Sequence, residues 1–252
     1  MDLELLGKVA LVIGSIIGIG KGIALVLAEK GADIVLNGVN PSSDAAKLQG
    51  QIEAMGRKAL MIYADVSDET KVKEMFSQIM DIFGRLDILV NNAGTTQAKD
   101  IFEEELANWD RIIRINLTSC FLCAKEAMKI MREQKYGRII QVSSVVGHRG
   151  ALFGHLHYAA TKRGMFGFIK TLARTAAPYG ITVNTVSPGI IETELLVQTQ
   201  GEEGIKELIE TVPLKALGTP HKCGLAITFL CGEGGDYITG ADIEVNGGIH
   251  FH

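Results

Sequence analysis

Six short apolar runs recur along the chain, and a helical pattern separates each from the next. The runs fall at 9–13, 34–36, 59–63, 86–90, 138–142 and 181–186, with a short seventh at 243–245. The first three are continuously apolar and the later ones mainly so, and they read as strands buried on both faces. In the first interval Ile23, Val26 and Leu27 repeat at helical spacing and Gly31 closes the helix. Helices are also expected over 43–55, 68–83, 158–177 and 221–230. The stretch 104–133 reads as helix in one or two pieces, and 192–214 as polar helix without a strong core face. Strict alternation of strand and helix makes a parallel sheet, because each helix returns the chain to the edge where the next strand starts. The fold class is therefore α/β, a doubly wound parallel sheet flanked by helices. No repeat, low-complexity segment or linker interrupts it, and 1–252 reads as one domain.

Composition narrows the function classes. Apolar residues make up 47% of the 252, enough for a sizeable core. Lys and Arg number 25 against 29 Asp and Glu, a formal charge of −4, which argues against nucleic acid as a partner. The longest apolar stretch, 9–20, is too short to span a bilayer. The opening Met1-Asp2-Leu3-Glu4 has no basic start of the secretory kind, so a cytoplasmic location is expected. Cys120 and Cys123 have C-x-x-C spacing but sit inside a helical pattern with no second ligand pair, so they read as reduced structural thiols. No metal is expected.

The first strand runs directly into Gly14-Ser15-Ile16-Ile17-Gly18-Ile19-Gly20, where a helix begins. Glycines there let the backbone turn tightly and approach a pyrophosphate, which the helix N-terminus attracts with its free N–H groups. A glycine triplet between the first strand and first helix of a βαβ unit reads as a dinucleotide site.

Further motifs follow in order. Asp65-Val66 succeeds the third strand and Asn91-Asn92-Ala93-Gly94 the fourth. Asn116 lies in a later helix, and Ser143-Ser144 follows the fifth strand. Tyr158-Ala159-Ala160-Thr161-Lys162 opens a helix, and Pro188-Gly189-Ile190-Ile191-Glu192-Thr193 follows the sixth strand. The whole ordered set resembles the short-chain dehydrogenase/reductase family. That resemblance implies a Rossmann-like, seven-stranded sheet, an NAD(P)-dependent exchange of hydride between a secondary alcohol and a ketone, and a homotetramer. It implies Tyr158 as general acid/base, Ser144 (with Ser143 the alternative) as hydrogen-bond partner of the substrate oxygen, and Asn116 as support for a water joining Lys162 to solvent. The tyrosine–lysine spacing of four places both side chains on one helix face, where an ammonium favours a phenolate. Lys162 would also hold the nicotinamide ribose. Cofactor contacts are implied at Gly14, Ser15, Gly18, Ile19, Gly20, Asp65, Val66, Asn92, Ala93, Gly94, Pro188, Gly189, Ile191 and Thr193. The family usually has Thr before the first glycine; Ile13 stands there, which questions how the turn is tied to the Asn-Asn-Ala-Gly segment.

The second strand ends Leu36-Asn37-Gly38-Val39-Asn40, with no acidic residue to hold a ribose 2′-hydroxyl and no cation at 15–17 or 38–39 to neutralise a 2′-phosphate. Asn37 is expected near the ribose, and a phosphate would rely on Asn37, Asn40, Ser42 or Ser43. The cofactor is NAD(H) or NADP(H), with a lean to NAD(H). His148, Arg149, His155 and His157, with Gln97 and Lys99, suggest a polar rim and a polar small substrate such as a sugar acid, polyol or hydroxyacid, under a lid near 190–215. The resemblance to 3-oxoacyl-(acyl carrier protein) reductases is the alternative, and a catalytically silent cofactor-binding regulator the remote one. Apolar residues on two sides of the helices at 116–131 and 165–176 call for a second partner, in line with a homotetramer, and the tail 249–252 is expected at another interface.

Overall fold

The computed structural model describes residues 3–251; Met1, Asp2 and His252, and whatever the readings of the two ends rest on them, lie outside the described residues. The strands are β1 (Val9–Ile13), β2 (Asp33–Gly38), β3 (Ala59–Tyr63), β4 (Ile88–Asn91), β5 (Gly137–Val142), β6 (Ile181–Pro188) and β7 (Asp242–Val245). They form one seven-stranded sheet of order β3-β2-β1-β4-β5-β6-β7, and every pairing is parallel.

The period-two geometry of a strand explains why its sequence is apolar throughout. Along β1, Val9, Leu11 and Ile13 join the core on one face, while Ala10 and Val12 join the core on the other. β4 divides in the same way, Leu89 to the first core and Ile88 and Val90 to the second. Helices α3 (Glu69–Phe83), α5 (Ser119–Gln134) and α7 (Leu156–Ala176) close the first core. Helices α1 (Gly18–Glu29), α2 (Ser43–Ala54) and α9 (Pro220–Cys231) close the second. α1 and α9 approach closely at Gly22, where an added Cβ would lie 2.3 Å from Pro220 Cβ.

Two local features have simple causes. The stretch 104–133 is helical as expected, in two pieces, α4 (Leu106–Ile113) and α5, joined without a gap by a π-helical turn at Arg114–Thr118. The widened turn places Asn116 inside the protein, fully buried. β4 starts later than the apolar run because Asp87 is spent elsewhere. Its buried carboxylate accepts from the Val9 N–H at 2.9 Å and takes a two-point hydrogen bond from Arg85, pinning the N-terminal edge of the sheet.

The chain returns through a short α6 (Val146–Arg149) and through α8 (Glu194–Thr211), which buries no residue and bends at Gly201, where φ is +64°. No helix among the described residues is long and apolar enough to cross a membrane. All four cysteines are buried free thiols. Burial pushes the Cys120 thiol up to about 11, and those of Cys223 and Cys231 up to about 12, so they stay protonated and inert.

Candidate active site

In the strand order, β1 sits between β2 and β4, so the connections leave its C-terminal end toward opposite sides. A crevice opens at that point. Gly14, with φ +67°, turns the chain there, and an added Cβ would lie 2.9 Å from Ala93 Cα. Gly20 faces back into the turn, where a Cβ would meet the Gly14 carbonyl oxygen at 2.1 Å and Asn92 Nδ2 at 2.6 Å. The turn is thus a backbone cradle that side chains would fill, and it fits a pyrophosphate. Asn92 Nδ2 donates to the Gly14 carbonyl at 2.9 Å and to that of Ile13 at 3.3 Å. This bond ties the first turn to the Asn-Asn-Ala-Gly segment, so the replacement of Thr by Ile13 leaves no gap. Thr193 caps α8, its Oγ1 accepting from the Leu196 N–H, and its methyl group lies 3.5 Å from where a Gly18 Cβ would stand. A cleft of about 630 Å³ runs from Gly18 and Lys21 to Thr193, Val197 and Pro220, on the phosphate side of the turn.

Across the crevice, Tyr158 and Lys162 lie one turn apart on α7, with Lys162 Nζ 5.4 Å from the centre of the Tyr158 ring. Lys162 is buried and its Nζ donates to the Val142 carbonyl at 2.7 Å, which aims the ammonium across the end of β5. Its backbone is gripped as well. Ser143 Oγ donates to the Lys162 carbonyl at 2.9 Å, and Gly147 of α6 packs so tightly there that a Cβ would sit 2.9 Å from that oxygen. Ser144 is bonded differently: its Oγ accepts from the Val146 N–H at 3.1 Å, which leaves its own proton available. Asn116 joins the two halves. Its Oδ1 accepts from the Thr95 N–H at 2.8 Å, and its Nδ2 donates to the Thr95 carbonyl at 2.9 Å and to Thr161 Oγ1 at 3.3 Å. Gly94 fits between, as a Cβ there would lie 3.5 Å from Asn116 Oδ1 and 3.6 Å from Lys162 Nζ.

A glycine cradle at the switch point, facing a Ser-Tyr-Lys-Asn group, is an arrangement with known relatives. A family model described as enoyl-(acyl carrier protein) reductase matches residues 14–250. The 3-oxoacyl-[acyl-carrier-protein] reductase of Aquifex aeolicus is 37% identical over 249 residues, covering 99% of this chain and 100% of that protein. The chain belongs to the short-chain dehydrogenase/reductase family. The Vibrio cholerae enzyme of the same name is 40% identical over 99% of both chains, and the acetoacetyl-CoA reductase of Allochromatium vinosum 38% identical over 98% of this chain and all of its own. A solved structure described as a short-chain alcohol dehydrogenase of Sinorhizobium meliloti superposes with a TM-score of 0.92 at 32% identity, covering 99% of this chain and 98% of its own. As a short-chain dehydrogenase/reductase the protein is an oxidoreductase that uses a nicotinamide dinucleotide.

Against that assignment, several site residues take parts that the sequence reading did not give them. Asn37 was expected at the ribose. It is buried, and its side chain is consumed: Oδ1 accepts from the Gly14 N–H at 3.3 Å, and Nδ2 donates to the carbonyls of Ile62 and Ala64. Ser15 was expected to touch the cofactor. It is fully buried, and both its N–H and its hydroxyl engage the Asn37 backbone. These two residues brace the cradle from behind, because the Ser15 hydroxyl and both ends of the Asn37 amide are engaged within the protein. Asp65 is exposed, with one carboxylate oxygen accepting from the Ser67 N–H and the other side open, while Val66 is buried beside it. Pro188 and Gly189 are held in register by the Val145 and Val245 backbones. Ile191 pairs with Gly218 through its neighbours' groups, the Ile190 carbonyl and the Glu192 N–H, so its own N–H and carbonyl turn away from that contact. The polar rim is also reduced. His148 faces Asp242 on β7, and His157 is buried beside Glu104 at 3.3 Å, where desolvation holds its pKa below the usual histidine range. Gln97, Lys99, Arg149 and His155 remain toward the surface, His155 Nδ1 lying 2.6 Å from Thr96 Oγ1.

The brace reading of Asn37 makes a prediction. Asn37→Ala leaves the Ile62 and Ala64 carbonyls and the Gly14 N–H short of partners. It should cost about 1–3 kcal/mol of stability and weaken cofactor binding together with it. A calorimetric melt beside a cofactor titration checks this; lost affinity at unchanged melting temperature would restore Asn37 to direct contact with the ribose.

Proposed function

We propose that this enzyme interconverts a 3-oxoacyl thioester and its 3-hydroxy product, using NAD(H). The observation that carries the substrate class is the entrance to the site. Residues 95–102 leave Gly94 and residues 150–155 lead into α7, and the two segments pack on each other where a Cβ on Gly154 would lie 3.0 Å from the Lys99 nitrogen. Their outer ends expose Ile101, Phe102, Leu152 and Phe153, with Phe102 95% and Leu152 93% accessible. Exposed apolar side chains on the two segments that flank the proposed catalytic residues in sequence favour an acyl chain over a polyol. The reductase names of the relatives in Aquifex and Vibrio support the same class. A polar small molecule, the first reading of the sequence, loses the support of His148 and His157.

The residues divide the chemistry as follows. The turn Gly14–Gly20 would hold a nicotinamide dinucleotide, which when bound would supply the hydride. Ser144 donates a hydrogen bond to the ketone oxygen, and Tyr158 passes its hydroxyl proton to that oxygen as the alcohol forms. The Lys162 ammonium stabilises the phenolate left behind. Asn116 holds Thr95 and Thr161 in register, so that the loop after Gly94 and the catalytic helix stay together.

Three measurements test this reading. In an assay following nicotinamide absorbance, acetoacetyl and longer 3-oxoacyl thioesters should be turned over in preference to sugar acids and polyols. Tyr158→Phe should lose roughly 10²–10⁴-fold in turnover. Phe102→Ser should raise KM for longer chains about 5-fold, the equivalent of about 1 kcal/mol of apolar contact. Preference for a polyol, with Phe102→Ser silent, overturns the substrate class.

For the cofactor, Asn37 and Ser42 are already engaged, Ser42 as the cap of α2, which leaves Asn40 and Ser43 as the exposed polar side chains nearest a 2′-phosphate. This supports NAD(H). A Cβ on Gly38 would strike the tip of Ile16 at 2.1 Å, so the charge test needs room. Ile16→Ala combined with Gly38→Asp should weaken NADP binding at least about tenfold, about 1.4 kcal/mol, while sparing NAD. Equal loss for both cofactors would place the ribose elsewhere.

For assembly, we propose a cytoplasmic homotetramer. On α5 Phe121 stays 49% accessible while Leu122, Cys123 and Ala127 are buried, and on α7 Phe168 and Leu172 are only partly covered by the core. Sedimentation at micromolar concentration should give the tetramer; a stable, fully active monomer would exclude it.

A further inference from the structure

Around α6, side chains from two distant parts of the sequence converge. His148 comes from α6, Asp242 and Glu244 from β7, and His250 from the segment that follows. His148 Nε2 lies 2.6 Å from Asp242 Oδ2 and 3.7 Å from Glu244 Oε1. The His148 ring stacks on Phe166 at 4.2 Å between centres, and stacks at 5.4 Å on the ring of His250. One donor atom each from His148, Glu244 and His250 lie within 4.8 Å of one another.

These donors are oriented from outside. Ser187 Oγ donates to the Asp242 carboxylate at 2.7 and 3.0 Å. Asn246 Nδ2 donates to Glu244 Oε2 at 2.8 Å and to the His250 carbonyl at 2.9 Å, while its Oδ1 accepts from the Gly248 N–H. The group is largely shielded from water: the His148 side chain is 7% accessible, Asp242 9% and Glu244 17%.

We propose that His148, Glu244 and His250 bind a zinc-class divalent ion that fastens the C-terminal segment to α6. Two imidazoles and one carboxylate are a borderline nitrogen–oxygen donor set that suits zinc and its neighbours over magnesium or calcium. With ligand bonds of about 2.0–2.2 Å, tetrahedral donor atoms stand about 3.4 Å apart. Donors already within 4.8 Å need only a small closing movement to reach that spacing. Asp242 holds His148 in place and is the nearest further donor. A divalent cation also offsets the cost of keeping two carboxylates in a shielded site. The ion would not touch the reacting atoms. It would act through α6, which starts two residues after Ser144 and presses Gly147 against the Lys162 backbone. This site is independent of which substrate or nucleotide the enzyme uses.

The test uses the full chain, purified without a histidine tag, stripped with a chelator and then given zinc. Zinc should remain through gel filtration at one ion per chain by plasma mass spectrometry, and should raise the melting temperature. Cobalt in its place should give the visible absorption of a four-coordinate nitrogen–oxygen site. His148→Ala with His250→Ala should abolish both signals, and Glu244→Gln should weaken binding by at least about tenfold, the scale on which a single ligand-shell change acts. His250→Ala alone, in the tail, serves if the double variant does not fold. Cofactor binding, measured by fluorescence, reports that each variant is folded. Absence of retained zinc, equal retention by the variants, or a response to magnesium but not to zinc would overturn the proposal. In that event the cluster is a hydrogen-bonded His148–Asp242 contact that needs no metal.

Discussion

The C-terminal edge of the sheet depends on one close approach, that of the Gly14 turn to the Asn92–Ala93 segment. A Cβ on Gly14 would collide with Ala93 Cα, and one on Gly20 would collide with the Gly14 carbonyl. The contact exists only because both positions lack a side chain, and it is fastened by Asn92 from one side and by Asn37 and Ser15 from the other. Three parallel strands, β2, β1 and β4, are thereby tied at the point where the chain reverses its order of laying down strands. The backbone N–H groups at the start of α1 are left facing the crevice. A buried polar brace of this kind is costly when half made and rigid when complete. Here the Asn37 amide has a partner for each of its two ends.

A second clamp fixes the chemical half of the site, and it works on the backbone as much as on side chains. Ser143 and Gly147 hold the Lys162 carbonyl while Val142 takes the Lys162 ammonium. β5, α6 and α7 therefore meet at one residue. The adjacent serines divide the work because successive residues beyond β5 point in different directions: Ser143 toward α7, Ser144 toward the crevice. Asn116, placed inward by a π-helical turn, connects this clamp to the loop that leaves the first. Lys162, and with it Tyr158 one turn earlier on α7, is thus held by packing from β5 and α6, a geometry suited to the general-acid role proposed for Tyr158.

The entrance is built from different material. The scaffold is polar where it braces itself and apolar where it meets solvent, at Ile101, Phe102, Leu152 and Phe153. Two of the three histidines that suggest a charged rim, His148 and His157, are used inside. His157 sits against Glu104 beneath the start of α7, and His148 sits against Asp242 behind α6. Both are two residues from the loop 150–155 in sequence, and the difference between rim and interior is decided by the turn of short α6 and by the left-handed His155 that begins α7.

Much of this was legible in the sequence. Alternating apolar runs and helical patterns determined a parallel sheet buried on both faces, since no other arrangement hides continuous apolar strands. The glycine spacing after β1 marked the crevice, and the ordered motifs from Asp65 to Thr193 carried the family resemblance that implies a nicotinamide nucleotide and points to Ser144, Tyr158, Lys162 and Asn116, because each is a local signal read within a few residues. What the sequence did not decide was which polar groups face a ligand and which are spent on the fold. Ser15 and Asn37 lie 22 residues apart and pair only once β1 and β2 are adjacent, and Asn92 replaces the missing Thr only across 78 residues. The cluster of His148, Asp242, Glu244 and His250 spans about a hundred residues and has no ligand spacing to read. Hydrogen-bond partners are chosen by proximity in space, and the strand order that sets this proximity exists only in the folded chain.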